Sequence, residues 1–280
     1  MEDVEAHRRA VEDRLREVLE AVEPPELREE VEAAALAGGK RVRPTLAMLC
    51  CEAVGGEASD ALDYAVGVEL VHNASLVVDD IIDRSDLRRG EPSAWAAYGH
   101  GPAIVASDGL LGEAFALFSD DARASETAAD SLVELGQGEA TELVDQPSNE
   151  SEYMELARRK TGALFRAAAE LGAIAADADT DTVDAFGEYA ERVGVAFQLR
   201  DDVLDVTAET GELGKPAGTD EEMDRPSVLR VTDRSVEGVN ALADAESEAA
   251  VAALEDATVE AGAAREYMER LAAFVVERER

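Results

Sequence analysis

Hydrophobic residues recur at intervals of three and four along nearly the whole chain, and alternation with a period of two is nowhere sustained. That pattern predicts helices over roughly 2–21, 26–37, 44–54, 60–84, 102–119, 124–145, 151–176, 180–207 and 246–278. The breaks fall at residues that end helices: Pro24-Pro25, Gly38-Gly39, Gly55-Gly56, Gly90-Glu91-Pro92 and Gly99-His100-Gly101-Pro102. Residues 208–226 read as an irregular loop, and the last 55 or so residues hold one convincing helix. At about 1.5 Å per residue, the helices of 60–84 and 180–207 each exceed about 35 Å. With no repeat, linker or compositional boundary, the expectation is one all-α domain over 1–280, a large bundle built around these long helices.

Composition narrows what such a bundle does. The 63 acids outnumber the 26 bases and give a formal charge of −37, which argues against nucleic acid as a partner and disfavours anionic membrane surfaces. A disordered acidic chain is excluded because 46% of residues are hydrophobic and the acids are spread through periodic segments. Only three of the bases are lysine. A dense acidic coat almost without lysine resembles the proteins of organisms with a salt-filled cytoplasm, where a Debye length of about 3 Å near molar salt screens self-repulsion. Adjacent Cys50 and Cys51 read as reduced core thiols of a cytoplasmic protein. The first twenty residues have no signal-like apolar core, and no window reaches 18 uncharged apolar residues, so no stable membrane insertion is expected.

Two segments repeat one unusual arrangement of acids. LVVDDIIDRSDLRRG carries Asp79, Asp80 and Asp83; FQLRDDVLDV carries Asp201, Asp202 and Asp205. In each, the first and third carboxylates lie four residues apart and share a helix face, where like charges repel. Both groups interrupt apolar runs, so solvation relieves the repulsion only partly. A divalent cation resolves it, magnesium being a hard ion that takes oxygen ligands and shares its sphere with phosphates. A solvated acidic face accounts for one such motif in so acidic a chain, but less well for two.

The lysines that persist are Lys40 in GGKRVRP, Lys160 in RRKTGALF and Lys215 in LGKPAGTD, each beside a helix break or a motif. Compact ammonium groups bind phosphate, and arginine adds a two-pronged grip. Where surface lysines have been lost, those that remain are expected to do what arginine cannot.

With these motifs in this order, the stretch from Gly38 to Asp220 resembles the trans-isoprenyl diphosphate synthase (polyprenyl synthetase) family, in particular its geranylgeranyl diphosphate synthase-like members. The resemblance implies a helical bundle with a central cavity, acting as a homodimer. It implies head-to-tail condensation of an allylic diphosphate with isopentenyl diphosphate, with about three magnesium ions per loaded site. Lys40 and Arg43 would hold the isopentenyl diphosphate, with Arg41 nearby and His72 as a further ligand. Asp79 and Asp83 would bind magnesium with support from Asp80. Arg88 would touch the allylic diphosphate and Arg89 the isopentenyl one. Lys160-Thr161 matches the family's Lys-Thr pair and Gln198 precedes the second motif. There Asp201 would bind a magnesium ion and Asp202 and Asp205 would complete the cluster. Lys215 would bind the allylic diphosphate.

Departures from the family pattern are visible. MDRPSVL stands where relatives carry a lysine-bearing segment, with Arg225 as the stand-in; Trp95 replaces a common histidine, and Ser107-Asp108 a common Gly-Asp. Small residues at Ala74 and Ser75, before the first aspartate, leave a prenyl tunnel open at that level and imply products of about twenty carbons or more. A terpene cyclase needs neither the second aspartate motif nor GGKRVRP. A catalytically weak regulatory subunit of a heteromeric synthase is the other alternative, and the intact aspartates count against it.

Overall fold

Helices carry almost all of the computed structural model, which describes residues 2–36, 38–208, 226–255, 257 and 262–277. The chain divides into two compact units, residues 1–128 with 171–177 and residues 129–170 with 178–280.

The first unit contains α1 (Glu2–Glu20), α2 (Pro25–Leu36), α3 (Val42–Ala53), α4 (Leu62–Asp83), α5 (Ala94–Tyr98) and α6 (His100–Phe118). Helix α4 is its axis, buried on every side from Ala65 to Val71 and packed by α6, α3, α1 and α2. Helix α6 approaches α4 closely because position 67 is glycine: a Cβ there would lie 2.5 Å from the Phe118 ring. Tyr64 and Phe115 flank that ring, each with its centroid 6.1 Å away. The thiols of Cys50 and Cys51 are both buried and unbridged. Burial pushes the Cys51 thiol up to about 12 and raises that of Cys50 further still.

The second unit is organised on α10 (Thr180–Ala208), which packs on α12 (Val236–Ala253) and α13 (Ala263–Glu277). Helix α8 (Glu150–Ala157), a π-turn at Arg158–Gly162 and the short α11 (Val228–Val231) also pack on it. Tyr153, Val195, Leu199, Val203, Val228 and Val239 form a core under the C-terminal half of α10. Helices α7 (Ala122–Val144) and α9 (Ala163–Ala175) contribute residues to both units.

Besides the short α5 and α11, which periodicity did not predict, the elements differ from the sequence reading in four places. The helix expected from residue 60 begins with a 3₁₀ turn, Ala58–Ala61, fixed by reciprocal capping between Glu57 and Asp60. The run 151–176 is interrupted by the π-turn. The C-terminal region holds α12 and α13 instead of one helix, because α12 buries Ala243, Ser247 and Ala250, which give little hydrophobic signal. A two-residue antiparallel ladder, β1 (Leu87–Arg88) with β2 (Glu91–Pro92), tightens the loop after α4. Helix α6 is long and apolar enough to match a membrane span by length and composition; a third of that window is buried, and it carries Asp108 and Glu113.

Candidate active site

In the first unit the site is built around the start of α3. Gly38 and Gly39 take positive φ, 86° and 136°, and Arg41 caps the helix in the left-handed region at φ 50°. No side chain caps the first turn, so its amides add positive character beside Lys40 and Arg43. Lys40 is exposed, but Arg41 is fully buried and turned into the protein. Arg43 reaches α4, where its Nη1 lies 3.3 Å from His72 Nε2. Burial, with the positive charges of Arg43, Arg89, Arg88 and Arg41 adding to it, holds the His72 pKa well below the ordinary histidine range, so the imidazole is neutral at pH 7. Burial also lowers Arg43 to about 10, against the pull of Glu69. Arg89 donates to the Gly38 carbonyl and ties the loop after α4 to the glycine turn.

The first aspartate motif ends α4. Asp79 and Asp83 are partly buried on one flank, whereas Asp80, about 100° further round the helix, is 3% exposed. Arg88 Nε donates to both Asp80 oxygens, at 3.0 and 3.1 Å, a forked pairing made possible by the ladder that follows. A cavity of about 470 Å³ lies beside this pair, lined by Leu36, Asn73, Leu76, Val77, Arg88 and Tyr98 among others. The departures noted in the sequence acquire physical reasons here. Trp95 donates from Nε1 to the Ser85 carbonyl at 2.9 Å and packs on His100, pinning the loop. Ser107 donates to the Ala74 carbonyl at 3.2 Å, a bond from α6 to α4 that glycine cannot make. Ala74 is 1% exposed in that interface, while Ser75 is partly open and donates to His72 O.

The second unit repeats the logic. Asp201 and Asp205 are partly buried, and the middle carboxylate, Asp202, is 4% exposed. Tyr153 Oη donates to Asp202 at 2.6 Å, the Val228 amide at 2.7 Å and Gln198 Nε2 at 3.0 Å. Burial raises the Asp202 pKa despite these three donors. Thr161 donates to Gln198 Oε1 at 2.8 Å, so the chain Thr161–Gln198–Asp202–Tyr153 is continuous. The π-turn that presents Lys160 and Thr161 is the kind of helix defect that recurs at functional positions. Lys160 meets two carboxylates of α7, Glu139 at 3.0 Å and Glu142. Lys215 and Arg225 lie outside the described residues.

The structure therefore joins Arg43, His72, Arg88 and Arg89 to the first motif within one unit, and leaves Lys40 exposed on the turn before α3. It joins Thr161 and Gln198 to the second motif within the other, where Lys160 is held by Glu139 and Glu142. In each motif the middle carboxylate is buried and held by protein donors, and the outer two are partly buried. Among the described residues no three carboxylate, imidazole or thiol groups converge tightly enough to enclose a metal by themselves. A pair of oxygen donors on one helix flank fits magnesium, which is commonly held by one or two carboxylates with substrate phosphates and water completing its sphere. The sequence reading missed Glu69, Glu139, Glu142 and Tyr153. Glu69 was findable as a lone acid in GVELVHN, one turn before His72; Tyr153 has no local signal because its partner is 49 residues away.

Residues 24–260 match the model of the polyprenyl synthetase family. The chain is 39% identical over 217 residues to a short chain isoprenyl diphosphate synthase of Methanothermobacter thermautotrophicus, covering 74% of this chain and 67% of that protein. It is 36% identical over 253 residues to a geranylfarnesyl diphosphate synthase of Natronomonas pharaonis, covering 79% and 74%. The fold superposes on geranylgeranyl pyrophosphate synthetase from Pyrococcus horikoshii with a TM-score of 0.89 at 31% identity, covering 99% of this chain and 98% of that one. Motifs, geometry and relatives agree, and the chain belongs to the polyprenyl synthetase family.

Proposed function

We propose that this chain is a magnesium-dependent trans-prenyltransferase that condenses an allylic diphosphate with isopentenyl diphosphate to give a product of twenty carbons or more. The observation that carries this is the gathering of Arg43, Arg88 and Arg89 about neutral His72, in a chain whose acids outnumber its bases 63 to 26. A cationic pocket in so acidic a protein is built for a polyanion.

In this reading Lys40, Arg43, His72 and Arg89 hold the isopentenyl diphosphate; Arg88 and Lys215 hold the allylic one, with Arg225 near them. Asp79, Asp83 and Asp201 hold magnesium, three ions when the site is loaded, and Asp205 supports them. Asp80 and Asp202 serve by fixing Arg88 and the Gln198–Thr161 chain. Bound magnesium offsets the charge that develops on the departing diphosphate. Lys160 and the arginines stabilise the same charge, and neutral His72 donates or accepts a hydrogen bond without adding a titration near pH 6.5. The allylic carbon–oxygen bond breaks, the isopentenyl double bond attacks that carbon, and the proton lost afterwards goes to the released diphosphate. We infer that the two units serve this one reaction in a cytoplasmic enzyme adapted to high salt. We infer further that a second copy covers α6, where Ile104 and Val105 stay 51% and 52% exposed. Ile104→Asp is expected to give monomers in sedimentation.

The test is turnover in molar KCl with magnesium, isopentenyl diphosphate and a series of allylic starters, the products being dephosphorylated and sized. A prenyl alcohol of at least twenty carbons, lost with Asp79→Ala or on chelation, supports the reading. No condensation by folded protein sinks it in favour of a regulatory subunit, and a cyclic hydrocarbon in favour of a cyclase. Because Ala74 is packed and Ser75 is partly open, Ser75→Phe is the variant expected to shorten the product; unchanged length removes Ser75 from chain-length control.

A further inference from the structure

Arg41 and Glu69 lie inside the first unit and the reaction scheme uses neither. Arg41 interrupts the run of residues assigned to the isopentenyl diphosphate, following Lys40 and standing two residues before Arg43. Its side chain is fully buried and points away from them. Nε donates to Glu12 of α1 at 2.9 Å, Nη1 to Glu69 of α4 at 2.6 Å and Nη2 to the Ala35 carbonyl of α2 at 2.9 Å. Three helices thus converge on one guanidinium, and its backbone, in the left-handed region, starts α3. The planar, always charged fork suits this, because an ammonium has no fixed directions to offer three separate acceptors. On Arg41's N-terminal side the glycine turn is tied down by Arg89 at Gly38 O; on the other side Arg43 meets His72, one helical turn from Glu69.

We propose that Arg41 is a positioning residue for isopentenyl diphosphate: anchored by Glu69 and Glu12, it fixes the path of residues 38–43 so that Lys40, Arg43, His72 and Arg89 converge on one diphosphate. Glu69 satisfies Arg41 permanently, and the neighbouring cations remain arranged for the substrate. The anchor acts through the loop and touches no substrate atom. It rests on the prenyltransferase reading above.

The experiment compares wild type, Arg41→Lys and Glu12→Gln in the full chain in molar KCl. It combines steady-state kinetics for both substrates with calorimetric titration of isopentenyl diphosphate and a thermal melt. Arg41→Lys keeps the charge but loses the fork. It is expected to raise the KM and Kd for isopentenyl diphosphate by about tenfold, while kcat at saturation and the allylic KM stay within about twofold. Glu12→Gln removes only the partly exposed partner and leaves the buried pair, so it reports even if Arg41→Lys does not fold. It is expected to give the same split at about threefold. Folded variants with unchanged isopentenyl diphosphate affinity, or with both KM values raised together as general loosening would do, overturn the positioning role. A wild-type protein that neither binds isopentenyl diphosphate nor turns over overturns the prenyltransferase reading instead.

Discussion

At the scale of single residues, position on a helix decides what otherwise identical carboxylates do. The six motif aspartates are equivalent as letters, yet Asp80 and Asp202 are held by Arg88 and by Tyr153, Val228 and Gln198. The outer four stay at the partly open flank. A turn of about 100° per residue separates the two sets, so the spacing of the motif was legible and the division of labour was not. Glu170 makes the same point about charge. Beside Arg166 at 2.7 Å it reads as an ordinary ion pair, but burial outweighs the arginine and raises its pKa to about 7. A carboxyl whose folded pKa is raised contributes stability present below its unfolded value near 4.5 and lost as pH rises through about 7. Glu170→Gln cannot ionise, so wild type is expected to fall in melting temperature relative to this variant as pH rises from about 4.5 to about 7. Parallel pH profiles would show the carboxyl titrating normally.

At the scale of elements, glycines and helix defects place the chemistry. Gly67 lets α6 lie against α4 and so sets where the apolar end of the site's main helix is held. Gly67→Val drives a branched side chain into the Phe118 ring, and the expected loss is about 1–3 kcal/mol in denaturant unfolding. An unchanged midpoint would mean that the ring has room to swing aside. Periodicity located nearly every long helix because an amphipathic stripe is written locally. It overlooked α5 and α11, which at five and four residues are too short to show a period. The π-turn at Arg158–Gly162 also escaped it, since five residues are too few to show a change of period against the helices on either side.

At the scale of the whole molecule, a net charge of −37 makes salt part of the fold's stability. Repulsion among exposed carboxylates falls as the Debye length drops from about 10 Å at 0.1 M salt to about 3 Å at 1 M. The melting temperature is therefore expected to climb steadily from 0.1 to about 1 M KCl, more than in an uncharged osmolyte of equal water activity. A flat response would place the charges in compensating pairs. Arg14, Arg158, Arg192 and Arg234 do make such pairs, but 26 bases cannot match 63 acids.

The sequence by itself determined the helical class, the positions of the long helices, both aspartate motifs and the identity of the basic residues at GGKRVRP and RRKTG. Each of these is encoded in residue type and near-neighbour spacing, which the backbone periods translate directly into faces. Only the tertiary structure decided that Arg41 is an anchor facing inward while Arg43 faces His72, and that Glu69 completes the anchor. The same holds for Tyr153, which closes the Thr161–Gln198–Asp202 chain. Those outcomes depend on partners 28, 29 and 49 residues away and on which of two neighbouring side chains is desolvated. Burial and long-range pairing are properties of the packed chain, and a local pattern of letters does not contain them.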